Sequence, residues 1–145
     1  MRLTIAVIFT LILLVPAWGQ NGPACTPATT RGTYSVLCTG YLSPAPNTPQ
    51  FPVSILGVVT GDWNGNFTGS AQMSLGGMFY AQTVKGPLVI NSDCTGSISY
   101  DQKLNGQPAP KLNIAVHVLD SGQEIRGMGV DAGTNLTCHL KLISR

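Results

Sequence analysis

Short runs of alternating apolar and polar residues, separated by compact turn signals, dominate this chain. In the first such run, Tyr34, Val36, Cys38 and Leu42 fall on one face, and mainly polar residues fall between them. Successive side chains of a strand point to opposite faces, so this period of two predicts a strand with one buried side.

The last run of the chain repeats the pattern. Leu136, Cys138, Leu140 and Leu142 share one face and alternate with polar residues. We therefore predict that the two end segments of the domain are half-buried strands, and that Cys38 and Cys138 lie on their apolar faces.

Turn-forming residues recur between the runs. Asn64-Gly65 predicts a two-residue hairpin, because both central residues of such a turn need a positive φ, and similar signals occur at 105–106, 120–122 and 131–133. No segment after residue 20 has a helical period, and glycine is frequent throughout. We predict eight strands, at 32–42, 51–63, 66–75, 78–90, 94–104, 110–119, 123–130 and 134–143.

Eight consecutive antiparallel strands predict an all-β fold, an eight-stranded antiparallel up-and-down barrel. Pairing the first strand with the last removes both exposed edges; a β-sandwich is the alternative. In the barrel, Cys38 and Cys138 lie on the same side of neighbouring strands, and a disulfide needs Cα atoms within about 7 Å. We predict a Cys38–Cys138 bond, and a Cys25–Cys94 bond that ties the leader to the turn before the fifth strand.

The amino terminus has the features of a cleaved signal peptide. Arg2 precedes the apolar run 3–15, and Ala17 and Gly19 supply small residues for cleavage. The apolar stretch is shorter than the roughly 20 residues that span a bilayer. We predict a signal peptide at 1–19, a leader segment at 20–31 and a single β-barrel domain at 32–145. The protein is then secreted, extracellular or periplasmic, without a stable membrane anchor after cleavage, and four cysteines in such a chain favour two disulfides.

Composition excludes several classes of function. Charged residues make up 10% of the chain, and the net charge is +2. The cations are scattered singly, so no nucleic-acid partner is predicted. The chain lacks a Cys-x-x-Cys pair, which argues against metal or redox use of the cysteines. No cofactor is predicted, and the oligomeric state stays open.

Two motif matches are better explained as turns. Residues 127–132 fit the dinucleotide fingerprint formally, but a turn and a strand follow instead of the required helix. Asp62, Asn64 and Asn66 resemble the start of a calcium loop, but Phe67 and Met73 stand where glycine and glutamate are needed. A hairpin turn accounts for these residues.

Four segments occur in an order that resembles a known group: Gly-Thr-Tyr at 32–34, Gly-Asp-Trp-Asn-Gly-Asn-Phe-Thr-Gly at 61–69, Asp-Cys-Thr-Gly-Ser at 93–97 and Val-His-Val-Leu-Asp-Ser-Gly-Gln-Glu-Ile at 116–125. The chain is similar to small exported bacterial proteins, mostly uncharacterised, whose barrel is similar to allene oxide cyclase and, more distantly, to the calycins. The resemblance covers nearly the whole mature chain. Its matching residues are turn and strand formers, so it implies a fold and no catalytic residue.

The function expected first is binding. An eight-stranded barrel can hold one small ligand, so we expect a small hydrophobic ligand inside the barrel. Aromatic side chains are the candidate contacts: Tyr34, Trp63, Phe79, Tyr80 and Tyr100.

Two alternatives remain open. The resemblance implies a cyclase or isomerase acting on an apolar substrate, for which Glu124, His117, Arg126 and Tyr100 are the polar candidates. A structural or adhesion domain, with side chains filling the interior, is the other. A zinc site of His117, His139 and Glu124 is less favoured than two independent histidines on polar strand faces.

Overall fold

The computed structural model describes residues 24–43 and 48–145, so the predicted signal peptide lies outside the described residues. The described chain is all-β, and its eight strands form a closed antiparallel barrel in which each strand pairs with the next and the last pairs with the first. The predicted up-and-down barrel is confirmed, and the sandwich alternative is wrong. Within the described ranges, no helix has the length and apolar character needed to cross a membrane.

The strand boundaries lie within three residues of the predicted ones. The strands are β1 Gly32–Leu42, β2 Phe51–Gly61, β3 Asn66–Leu75, β4 Met78–Ile90, β5 Thr95–Leu104, β6 Gln107–Leu119, β7 Glu124–Gly129 and β8 Thr134–Ser144. Two short 3₁₀ turns, Pro27–Thr30 and Asp120–Gly122, lie at one end of the barrel. We call that end, where the leader also lies, the leader end, and the opposite end the far end.

The β1–β8 pair closes the barrel. Its register places Cys38 directly opposite Cys138, and a disulfide joins them with their Cα atoms 4.0 Å apart. The second disulfide joins Cys25 to Cys94, with Cα atoms 5.0 Å apart. Both predicted disulfide pairings are confirmed.

Alternate residues of every strand face a common apolar core, which explains the period of two in the sequence. Glycines interrupt this inward row where neighbouring strands approach closely. A Cβ on Gly57 would lie 2.3 Å from the carbonyl oxygen of Ser70, and one on Gly86 would lie 2.2 Å from that of Ser99. Strand glycines of this kind occur at tight bends of a barrel wall.

The predicted two-residue hairpin at Asn64-Gly65 is wrong. β2 ends earlier, which leaves a four-residue loop in which Gly65 has φ 80° and Asn64 does not have a positive φ. The cause is Asp62, whose Oδ1 accepts hydrogen bonds from the backbone N–H groups of Asn64 and Asn66, each at 2.8 Å. The turn at 105–106 does have two residues, with φ 50° and 80°.

The barrel-closing disulfide joins residues 100 apart in sequence. Replacing both partners, Cys38→Ala with Cys138→Ala, should lower the free energy of unfolding by about 2–5 kcal/mol, because the unfolded chain loses its longest loop constraint. Denaturant titration followed by fluorescence measures this loss.

The matched control is Cys25→Ala with Cys94→Ala. This bond holds a leader segment outside the sheet, so its removal should cost less than removal of the bond inside the wall. Equal losses for the two double variants would show that the position of Cys38–Cys138 inside the barrel wall adds nothing to its effect on stability.

Candidate functional site

The barrel interior contains a cavity of about 70 Å³ in its leader-end half. Its wall is almost entirely apolar and is built from inward side chains of β1 to β8, with the Cys38–Cys138 disulfide on one side. The aliphatic and aromatic lining is formed by Val36, Ile55, Val59, Phe67, Ala71, Val84, Leu88, Ile98, Ile114, Val116, Ile125 and Leu140. The interior is therefore neither completely filled nor an open channel.

Three of the polar side chains at the cavity, Tyr34, Gln82 and Thr30, have hydrogen-bond partners. The Tyr34 hydroxyl donates to the carbonyl of Gly122 at 2.7 Å. Gln82 Nε2 donates to Gln102 Oε1 at 2.6 Å, and the Thr30 hydroxyl donates within the leader. Among the described residues, no buried side-chain nitrogen or oxygen lacks a hydrogen-bond partner. Since a buried polar group gains most from a partner it otherwise lacks, the cavity favours an apolar occupant.

The two cavity phenols stay neutral near physiological pH. Burial raises the pKa of Tyr34, and burial together with the nearby Asp131 charge raises the pKa of Tyr100. The described lining includes no Asp, Glu, His, Lys or Arg. The cavity thus offers no group that exchanges protons near neutral pH, as general acid–base catalysis requires.

The four polar candidates do not form one site. Tyr100 is buried inside the barrel, whereas His117 and Arg126 are exposed on the outside. In β7 the inward positions are Ile125 and the glycine two residues later, so Glu124 and Arg126 fall on the outer face. The barrel wall therefore separates Glu124, His117 and Arg126 from the cavity.

On the outer face, Glu124 is the centre of a small ionic cluster. Its Oε1 accepts a hydrogen bond from Arg126 Nε at 2.5 Å, and His139 Nε2 lies 3.1 Å from the same oxygen. The Arg126 hydrogen bond, and then the neighbouring positive charges, lower the pKa of Glu124. His117 lies on the adjacent strand β6, directly opposite Arg126. No group of three or more metal-ligating side chains occurs in the described part of the chain.

The five aromatic candidates also lie in different parts of the barrel, and only two of them line the cavity. Tyr34 and Tyr100 line the cavity, and the Tyr100 ring packs edge-on against Phe67, with centroids 6.1 Å apart. Trp63 does not line it, because β2 ends before this residue and the side chain points out of the loop. The Arg31 guanidinium instead lies over its ring, 3.9 Å from the centroid.

Phe79 and Tyr80 lie at the far end of the barrel, away from the cavity. Phe79 is 77% exposed, because its position in β4 points outward. Tyr80 points inward but is only partly buried, near the start of β4, and its hydroxyl lies 3.8 Å from the sulfur of Met78. Neither ring reaches the cavity wall.

Sequence reasoning missed the role of the leader. Thr30 is 1% exposed and lines the cavity, so the leader covers the leader end of the barrel. A Cβ at Gly61 would lie 2.5 Å from the carbonyl oxygen of Thr30, and one at Gly122 would lie 2.0 Å from that of Thr29. The predicted Cys25–Cys94 bond was the sequence signal that pointed to this placement.

An open groove of about 630 Å³ runs beside the leader on the outer rim. Polar side chains border it, including Asp93, His117, Asp120 and Arg145. The Asp93 carboxylate accepts hydrogen bonds from the hydroxyl and backbone N–H of Thr95, which lower its pKa. Water reaches this groove freely, unlike the interior cavity.

Comparison of the chain with protein-family models, with curated proteins and with solved structures finds no match. The fold and the cavity define the class on their own: a doubly disulfide-bonded, eight-stranded antiparallel barrel with an apolar interior cavity. The resemblance to the allene oxide cyclase and calycin-like barrels stays a prediction.

Acid should destabilise the fold through three carboxylates. Hydrogen bonds in the folded state lower the pKa of Asp62, Asp93 and Glu124. A lowered folded-state pKa means that these groups stabilise the fold above their unfolded pKa and lose that contribution as pH falls through the folded pKa. The free energy of unfolding should therefore decline below pH 4.5, the ordinary pKa of glutamate.

Urea titrations at a series of acidic pH values measure the decline. Glu124→Gln should make it shallower, and Arg126→Gln should do the same, because it removes the largest cause of the Glu124 shift. An unchanged pH dependence in both variants would show that the cluster does not contribute.

Proposed function

We propose that this protein binds a small apolar molecule inside its barrel. The observation that carries the proposal is the cavity of about 70 Å³, whose wall is almost entirely apolar and in which Tyr34, Gln82 and Thr30 are already hydrogen-bonded. At roughly 24 cal/mol per Å³, an empty void of this size costs about 1.7 kcal/mol of stability. An apolar ligand regains contacts that the void forfeits.

The cavity volume sets the ligand class. Pockets for drug-sized ligands measure roughly 300–1,000 Å³, and a dry cavity of about 150 Å³ can hold benzene or xenon. At about 70 Å³, the ligand is a compact molecule of a few heavy atoms. It needs no hydrogen-bonding group, since the cavity wall is almost entirely apolar.

We also propose that the protein works outside the cytoplasm, in an extracellular or periplasmic space. Disulfides persist mainly in oxidising compartments, and both bonds in this chain contribute to the barrel or its cover. The signal peptide predicted at 1–19 supports the same location.

The alternatives have less support. A cyclase or isomerase needs polarising groups at its substrate, and Glu124, His117 and Arg126 lie outside the barrel wall. A purely structural domain has a cavity that stays empty when apolar molecules are offered. That difference can be tested directly.

Xenon and benzene are suitable probes. Titration of the purified protein with each, followed by methyl NMR, should give saturable shifts at cavity residues such as Val36, Ile98 and Ile114, and the midpoint of thermal unfolding should rise. Val116→Ile should weaken probe binding by partly filling the cavity. Absence of saturable shifts with both probes would overturn the proposed function and favour the structural domain.

The same substitution also tests how much the empty cavity lowers the free energy of unfolding. Val116→Ile adds one methylene to the cavity wall and should raise the free energy of unfolding by up to about 0.8 kcal/mol. The matched control is Val53→Ile, which adds the same group at a buried far-end position outside the cavity lining. Overpacking there should cost roughly 1–3 kcal/mol. Denaturant titration distinguishes the two signs.

A further inference from the structure

Residues 24–31, which we call the leader cap, lie across the leader end of the barrel directly above the cavity. The 3₁₀ turn Pro27–Thr30 forms the middle of the cap, and its last residue, Thr30, contributes to the cavity wall. Among the described residues that line the cavity, Thr30 of the cap is the one that does not belong to a strand.

Three glycines form a seat for the cap. Cβ atoms built on Gly61 and Gly122 would collide with the cap backbone, at 2.5 Å and 2.0 Å from its carbonyl oxygens, and one on Gly65 would lie 3.3 Å from the Cβ of Pro27. These glycines come from the end of β2, the β2–β3 loop and the β6–β7 connection. The cap backbone rests on these barrel positions, which have no side chains, and lifting its middle withdraws one buried side chain, Thr30, from the cavity wall.

Few bonds fasten the cap to the barrel. Within the described residues, a single backbone hydrogen bond joins them, from Cys25 N–H to the Ser92 carbonyl at 3.2 Å. The Cys25–Cys94 disulfide fixes one end. The other end continues directly into β1 at Gly32, with the Arg31 guanidinium over the Trp63 ring. The remaining backbone hydrogen bonds of the cap are internal to it.

The far end of the barrel is closed in a different way. Inward side chains of the strands fill it, among them Met73 and Leu136, each 1% exposed. Gln82 and Gln102 add a buried hydrogen bond between β4 and β5. Opening this end requires disruption of the sheet core, whereas opening the leader end requires only local release of the cap. Local opening of weakly fastened segments costs less free energy than opening of a core.

We propose that the leader cap is the gate of the cavity: the apolar ligand enters and leaves beneath it, and the Cys25–Cys94 and Arg31–Trp63 contacts set the rate of opening. This inference rests on the proposed binding function. Since both ends of the cap are held, the opening motion displaces its middle, Pro27–Thr30, away from the glycine seat.

Exchange of xenon, measured by ¹²⁹Xe NMR on the purified full-length mature protein, tests the gate. In Cys25→Ser with Cys94→Ser, exchange should be about tenfold faster or more, because one end of the cap is free. The dissociation constant should change little, since the closed state still predominates and the remaining wall is intact.

Trp63→Ala should accelerate exchange by a smaller factor, and Trp63→Phe should restore most of the slow rate.

A second substitution opens the gate with both disulfides intact. Gly61→Ala places a methyl group against the Thr30 carbonyl and should lift the cap, which accelerates exchange. Gly129→Ala is the matched control, because its Cβ also meets a neighbour, the Thr134 methyl group at 2.2 Å, but at the far end. Its exchange rate should equal that of the unmodified protein.

The outcomes separate the two proposals. If the unmodified protein binds xenon but the cysteine, Trp63 and Gly61 variants all exchange at its rate, the gate is wrong and the binding function stands. Faster exchange in Gly129→Ala alone would place the entrance at the far end and likewise overturn the gate. If the unmodified protein binds no xenon, both proposals fail.

Discussion

The pairing of β1 with β8 is the constraint on which the rest of this structure depends. An open sheet of eight strands would leave two rows of unpaired backbone groups, and it would have no interior. Closure pairs the two ends of the domain in one register, with Cys38 opposite Cys138. A slip of one residue would turn every side chain of β1 to the other face. The inward disulfide excludes that slip, so it fixes which residues form the core and which face water.

Closure also separates two chemical environments. β1, β2 and β3 contain no charged residue, and the ionic contacts of the described chain lie on outer faces or in loops, as with Lys111–Asp101 and the Glu124 cluster. The interior keeps few polar side chains around an apolar void. Proton-transfer chemistry therefore has suitable side chains outside the barrel and none at the cavity. This separation favours binding over catalysis as the role of the interior.

Most of the fold could be predicted from local patterns, because the alternation of apolar and polar residues and the turn residues can be recognised from neighbouring positions in the sequence. The cysteine pairing then followed from the order of the strands. The site was less predictable. Whether Glu124 faces in or out depends on the residue at which β7 begins, and Asp62 shortened β2 so that Trp63 left the strand. Cavity volume depends on how side chains from all eight strands fit together, which no local pattern encodes. The position of the leader over the cavity depends on contacts with distant glycines.

The two disulfides stabilise different parts of the structure, one the barrel wall and the other the leader cap. Cys38–Cys138 lies within paired strands, where backbone hydrogen bonds on both sides already hold its partners, so it stabilises a part that must not open. Cys25–Cys94 holds a segment with little other attachment, so its contribution falls on the equilibrium between a seated and a displaced cap. A void inside a closed barrel is useful for binding only if a molecule can reach it without unfolding the sheet. A cap seated on glycines and retained at its ends meets that requirement, because its release breaks few contacts and leaves the β1–β8 closure intact.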